Sequence, residues 1–189
     1  MAERKISEKS LENLKRFNQE NKAITRESIE ISLLQLLEKK DLKKITISEL
    51  VQRAGVSRAA FYRNYDSKEE ILESIFQSSI AKITKSLDGY NLKTDLYQVW
   101  VYLFKEVKKE AKIISLAIDY NFEQVLTKAV YDFLEKRNGS SSNGAGSYLN
   151  SFWSSAIVSV ISKWVKDGMK TPAEKIAKLG LPLFPQKRK

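Results

Sequence analysis

The sequence predicts an all-α protein. A small N-terminal three-helix helix-turn-helix domain is joined by a long helix to a C-terminal helical bundle, about nine helices in all. Three observations lead there. Apolar residues recur at helical spacing along much of the 189-residue chain. Glycine and proline are scarce, 7 and 3 residues, whereas a sheet protein needs turn residues every few positions. Between Thr46 and Tyr65 lie the caps, apolar spacing and glycine of two short helices joined by a tight turn.

Residues 1–20 are polar, with candidate helical turns around Leu11 and Leu14, and are expected to form an N-terminal extension. The helix-turn-helix domain is expected over 21–66. Its first helix follows from Ile29, Leu33, Leu36 and Leu37 on one face and should end near Lys39 and Lys40, where cations suit the negative end of the helix dipole. Thr46 and Glu49 have the spacing of a capping box, hydroxyl and carboxylate each satisfying a first-turn amide. Ile47, Leu50, Val51 and Ala54 then make a single apolar face. Gly55 follows, where a left-handed residue lets the chain leave the helix. Val56 can plug the turn, and Ser57 caps a second short helix that buries Phe61 and Tyr65, four residues apart.

Ser67 and Glu70 repeat the capping spacing and open a long helix with Leu72, Ile75, Phe76, Ile80 and Ile83 on one side, ending near Leu87. Amphipathic runs follow around Trp100, Ile114 and Leu126. The low-complexity run NGSSSNGAGS (138–147) reads as a loop. From Tyr148 to Asp167 the chain is strongly apolar. Thr171, Pro172 and Glu174 begin a last helix with proline at its first position. The C-terminal domain is thus expected over 67–181, with an irregular basic tail at 182–189.

Composition removes several functions. With no cysteine and no histidine, disulfides, thiolate metal sites, Cys nucleophiles and Ser-His-Asp arrangements are all excluded. Neither metal nor cofactor is expected, and the adjacent carboxylates Glu69 and Glu70 have an ordinary helix-start role, so the chain does not read as an enzyme. The first residues are charged throughout, unlike a signal peptide. No stretch approaches the roughly 20 apolar residues of a membrane span. A cytoplasmic, nucleoid-associated protein is expected. The net charge of +10 is a weak guide, because residues 138–189 carry +6 of it. More telling is the segment 39–63, where Lys39, Lys40, Lys43, Lys44, Arg53, Arg58 and Arg63 face only Asp41 and Glu49.

The order I-T-I-S-E-L-V-x-x-A-G-V-S-R-A-A-F-Y-x-x-Y-x-S-K-E-E-I-L, from Ile45 to Leu72, resembles the DNA-binding domain of the TetR family of bacterial regulators. The likeness covers about residues 21–75. It implies that the second motif helix enters the major groove with Arg58, Ala59 and Ala60 against base edges. An arginine there can fork onto guanine and an alanine methyl can meet a thymine methyl. A solvated surface charge is the plain alternative for Arg58. Tyr62 resembles the family tyrosine that reaches a phosphate. Arg63 and Asn64 stand where this family often has aromatic or histidine residues, a departure that leaves their part to geometry. Lys68, first in its helix, lies against the positive end of the dipole, an unfavourable placement that a bound phosphate would reverse. Thr46 and Ser57, each beginning a motif helix, complete the candidate DNA-binding set, though capping alone would explain them.

The resemblance further implies a ligand cavity among the middle helices and pairing of protomers through the last long ones. Trp100, Phe104, Tyr120 and Phe122 are candidate pocket residues, with packed core as their alternative. Trp153, Ala156, Ile157, Val160, Ile161 and Trp164 are candidate dimer contacts, since residues 148–165 are apolar on too wide a face for one core contact. The implied function is a homodimeric transcription regulator, a repressor responsive to a small-molecule effector, on palindromic double-stranded DNA. The competing class is a co-regulator acting through protein contacts without reading DNA.

Overall fold

Short polar side chains set the starts of the N-terminal helices. In the computed structural model, which describes residues 7–91, 94–138 and 145–181, Ser7 accepts from the Ser10 amide and starts α1, Glu8–Leu37. Asp41 caps a 3-10 turn, Leu42–Lys44. Thr46 accepts from the Glu49 amide at α2, Ile47–Ala54, and Ser57 from the Ala60 amide at α3, Arg58–Tyr62. Ser67 accepts from the Glu70 amide at 3.0 Å, ahead of α4, Lys68–Lys85. Each hydroxyl or carboxylate supplies an acceptor to an amide with no partner inside its helix.

After a 3-10 turn at Ser86–Gly89 come α5 (Leu96–Lys109), α6 (Ala111–Asp119), α7 (Glu123–Asn138), α8 (Ala145–Lys166) and α9 (Ala173–Ala177). Among the described residues the chain is all-α, with nine α-helices and no strand. It divides into two compact units, one up to Leu72 and one from Glu73 onward. The division falls inside α4. The tail at 182–189, residues 1–6 and most of the 138–147 run lie outside the described residues.

Helix α1 is the largest departure from expectation. It begins at Glu8 and not near Asn21, so most of the 1–20 extension is helix. Residues 8–24 are exposed throughout, and the first fully buried side chain is Ile29. The Ser7 cap, Glu8 in the first turn and the Arg16–Glu20 pair at 3.9 Å favour helix there without tertiary packing. The helix ends at Leu37, just before the Lys39-Lys40 pair.

Two capping boxes are only partly reciprocal. The Glu49 carboxylate turns to the Lys40 ammonium instead of reaching back to Thr46. The Glu70 carboxylate accepts from the Asp66 amide at 2.6 Å, one residue before its cap. Pro172 is the cap of α9 and not its first residue, with ψ at 140°.

In the first unit α1 packs on α2 and α2 on α3. Ile29, Leu33, Leu50, Phe61, Ile71 and Leu72 are wholly buried. In the second, α8 packs on α6 and α7, and α9 on α5.

Candidate nucleic-acid interface

The turn between α2 and α3 is built by one glycine. Gly55 has φ +67° and ψ 26°, the left-handed region that side chains resist. The Val56 amide then donates to the Val51 carbonyl at 3.1 Å, closing the end of α2. Chain direction changes within two residues, and Ser57 starts α3 at once.

Phe61 and Tyr65 anchor α3 as the spacing predicts, both essentially buried. Tyr65 donates its hydroxyl to Glu30 at 2.5 Å, and the Arg26 guanidinium lies 4.3 Å over its ring. Arg26 also donates to the Asn64 carbonyl at 3.1 Å, locking α1 to the end of α3. With the inner face so fixed, Ser57, Arg58, Ala59, Tyr62 and Arg63 are exposed, while Ala60 and Asn64 are half-buried. Tyr62 is 54% exposed, its ring edge-on to Phe61 at 5.1 Å. It is therefore a surface tyrosine and not a third core aromatic. Asn64 donates its side-chain amide to the Ala60 carbonyl at 2.7 Å.

Thr46 is exposed at the start of α2. Its oxygen and that of Ser57 accept from backbone amides, which leaves each hydroxyl hydrogen able to donate outward. Lys40 holds the Glu49 carboxyl below its ordinary pKa, chiefly by hydrogen bonding. That pairing neutralises the acid of α2 beside the motif.

Lys68 has an intramolecular answer to the dipole argument. Its ammonium, half-buried, donates to the Leu42 carbonyl at 2.7 Å and the Ile45 carbonyl at 2.6 Å. Two carbonyl oxygens thus stabilise a cation at a helix start, where the sequence alone suggested a phosphate was needed. An ammonium has three N–H donors, so these two bonds do not exhaust it.

Other assignments fall differently in the second unit. Trp100 stacks on Phe104 at 5.4 Å, and Phe104 meets Trp164 edge-on at 4.8 Å. The indoles of Trp100 and Trp164 donate to the Leu181 and Thr171 carbonyls, each at 2.7 Å. Phe122 packs on Phe76 at 5.4 Å, and Tyr120 is half-buried. None of the four pocket candidates lines the apolar cavity found in this unit, which measures about 50 Å³. Its walls are mostly aliphatic, with Phe133 and Thr84 beside them, and come from α4 through α8, among them Ile83, Leu103, Ile114, Val130 and Ile161. Sequence reasoning missed these residues because their spacing is that of any packed core.

The dimer candidates also separate. Ile157, Ile161 and Trp164 are buried within the chain, and the first two line the cavity. Trp153, Ala156 and Val160 are half-buried. They continue along α8 from Tyr148, Leu149 and Phe152, which are 80%, 43% and 62% exposed. A helix that is apolar all round serves its own core first, and only the remaining stripe can face a partner.

Comparison with known proteins matches two families. Residues 33–75 match the bacterial regulatory proteins of the tetR family, and residues 94–181 match a transcriptional regulator C-terminal region. The chain belongs to the TetR family. Both matched models describe transcriptional regulators. An uncharacterized HTH-type transcriptional regulator of Bacillus subtilis (strain 168), YxbF, is 41% identical over 64 residues, 33% of this chain and 17% of that one. The dhaKLM operon transcriptional activator DhaS of Lactococcus lactis subsp. lactis (strain IL1403) is 27% identical over 125 residues, 61% of this chain and 66% of that one. The matched segments therefore span less than two thirds of these relatives' lengths. Among solved structures, a TetR regulator from Streptococcus agalactiae 2603V has a TM-score of 0.57 at 20% identity, covering 87% of this chain and 95% of that one. A dihydroxyacetone kinase operon activator DhaS has a TM-score of 0.53 at 18% identity, covering 83% and 92%. At such identities the structural likeness speaks for the fold alone. No helix among the described residues is long and apolar enough to cross a membrane.

Proposed function

We propose that this TetR-family chain binds a palindromic operator as a homodimer and represses transcription until a small apolar effector enters its second unit. The carrying observation is α3, whose inner face is fixed by Phe61 and Tyr65 while Arg58 and Ala59 are presented to solvent beside the half-buried Ala60. Arg58 reads guanine and the alanines read thymine methyls. Thr46, Ser57, Tyr62, Arg63, Asn64 and the third N–H of Lys68 hold phosphate or flanking base edges. The protein works in the cytoplasm on nucleoid DNA, with its DNA-reading part ending near residue 66 and its effector and dimer functions over 67–181.

The partner protomer lies on the α8 stripe of Tyr148, Leu149, Phe152, Trp153, Ala156 and Val160. That pairing sets two recognition helices about one DNA turn apart, roughly 34 Å. The effector is uncharged and apolar, because the cavity wall offers it hydrocarbon and one hydroxyl, that of Thr84, already bonded to the Ile80 carbonyl. At about 50 Å³ the cavity is far smaller than the roughly 300 Å³ and upward of ligand sites. Its walls, α4 among them, must part for an effector, which gives ligand and operator different favoured states.

Selection of duplexes from a random pool by the full chain, followed by titration, tests the reading. Arg58→Ala should weaken the selected site by about 1–3 kcal/mol and relax its sequence preference. Lys68→Ala should weaken all sequences alike and lower the salt slope by about one. If the wild-type chain selects nothing, the co-regulator class takes its place. The operon-activator name of the Lactococcus lactis relative favours activation as a second reading of the regulatory sign. A reporter carrying the selected site, with and without the regulator, separates the two.

A further inference from the structure

The N-terminal half of α1 overhangs its own core. Residues 8–24 extend roughly 25 Å along the axis at 1.5 Å per residue, exposed at every position. By helical repeat, Leu11, Lys15, Asn18, Lys22 and Thr25 lie on the same side as the buried Ile29 and Leu36, so the overhang prolongs the core-facing side of α1. That side meets the end of the recognition helix. Asn18, Asn21 and Lys22 form one wall of a groove of about 540 Å³, with Arg63 and Asn64 on the other.

The groove is basic. No residue lining it is acidic, and it carries the charges of Lys22 and Arg63. The neighbours of Lys22 at three and four residues' distance are Asn18, Gln19, Thr25 and Arg26, so no carboxylate on the helix neutralises it. Of the acids of the overhang, Glu20 lies on the far side of α1 and is paired with Arg16, and Glu12 stands ten residues from Lys22, about a quarter turn round the helix. The walls are also held in place, because Arg26 ties α1 to the Asn64 carbonyl. Asn64 Oδ1 is buried there without a donor. An anion that draws the Lys22 ammonium inward supplies that N–H as well.

We propose that this groove seats the sugar–phosphate backbone of the duplex beside the segment read by Arg58, making the overhang of α1 a further DNA-contacting element. Lys22 and Arg63 supply charge, Asn18 and Asn21 supply amide donors, and Lys15, with Glu12 three residues before it, adds a further cation towards the N-terminus. The inference rests on the DNA-reading function proposed above. It adds affinity without sequence preference, since phosphates carry no sequence information.

The test uses the full chain and the duplex that the wild type selects from a random pool. Lys22→Gln, at an exposed position, should lower the slope of log affinity against log salt by about one. Between 50 and 200 mM salt the loss of affinity should therefore shrink roughly 3.5-fold. Lys15→Gln/Lys22→Gln should lower the slope by about two, with the preference for the selected over a scrambled duplex unchanged. Lys22→Arg should restore the slope, and hydroxyl-radical footprinting should show backbone protection that Lys22→Gln loses. An unchanged slope and footprint in Lys22→Gln, while Arg58→Ala loses its preference, overturns this inference and leaves the proposed function standing. A change in sedimentation of Lys22→Gln without a change in slope assigns the groove to a second copy of the chain and overturns it too. If the wild type selects no duplex, both readings fall together.

Discussion

The two units of this chain are held together by different means. In the first, five helical segments begin on a side-chain cap from Ser7, Asp41, Thr46, Ser57 or Ser67. Its elements are then cross-tied by polar contacts such as Tyr65 to Glu30 and Lys68 to the Leu42 and Ile45 carbonyls. In the second, α5, α6 and α9 have no side-chain cap hydrogen bond. Polar ties occur there too, from the Trp100 and Trp164 indoles and from Arg137 to the Leu87 carbonyl, but its core is aliphatic and aromatic packing around Trp100, Phe104, Trp164 and a largely hydrocarbon-lined cavity. Caps are local and discrete, so a one-residue shift in sequence breaks them. Packing is distributed, and many sequences of similar volume satisfy it. The proposed DNA-reading surface around Arg58 is built the first way, and the proposed effector chamber the second.

The difference can be probed by substitution. The largest effect is expected in the first unit from Phe61→Ala. Phe61 is wholly buried, and its truncation should cost about 3–5 kcal/mol in chemical denaturation. A loss below about 1 kcal/mol would mean that α3 is held by its polar ties alone. Next in size, Gly55→Ala should cost about 1 kcal/mol, all of it backbone strain, because an added Cβ meets nothing within 4 Å. Gly168→Ala, at φ +72°, should cost a similar amount in the second unit. Unequal costs would show that the turn of the first unit is stiffened by its neighbours.

The smallest effect concerns acid. Hydrogen bonding to Lys40 lowers the Glu49 pKa, so the ionised carboxylate is favoured by folding. Its contribution is present above the unfolded carboxylate's pKa and is lost as pH falls through the lower folded value. Lys40→Gln should therefore flatten the acid limb of the stability curve below about pH 5, with little change at neutral pH. A steeper acid limb in the variant would contradict the pairing.

Legibility followed the same division. Thr46, Gly55, Ser57 and the Phe61/Tyr65 pair could be read directly, because caps and turns need particular residues at fixed offsets. The partners of Glu49 and Glu70 could not, since a carboxylate chooses among several nearby donors and only the folded chain brings Lys40 to the first of them. The α1 overhang was hidden by its polarity: without a buried stripe, 8–20 carries little periodic signal although its propensities favour helix. Of the aromatic residues offered as pocket lining, Trp100 and Phe104 stack on each other and Phe122 packs on Phe76, while mostly aliphatic residues line the cavity. Nothing in their spacing distinguishes the two outcomes.

By itself the sequence determined the all-α class, the helix-turn-helix and the outward side of α3, because these follow from offsets of seven residues or fewer. Tertiary structure alone decided that Lys68 is held by two carbonyls, that half of the expected dimer face on α8 belongs to the chain's own core, and that α1 forms a basic groove with the end of α3. Each depends on groups far apart in sequence. The physical reason is range: caps, turns and helical faces are settled by neighbours along the chain, whereas the partner of a long cation or a wide apolar face is settled by whatever the fold brings near.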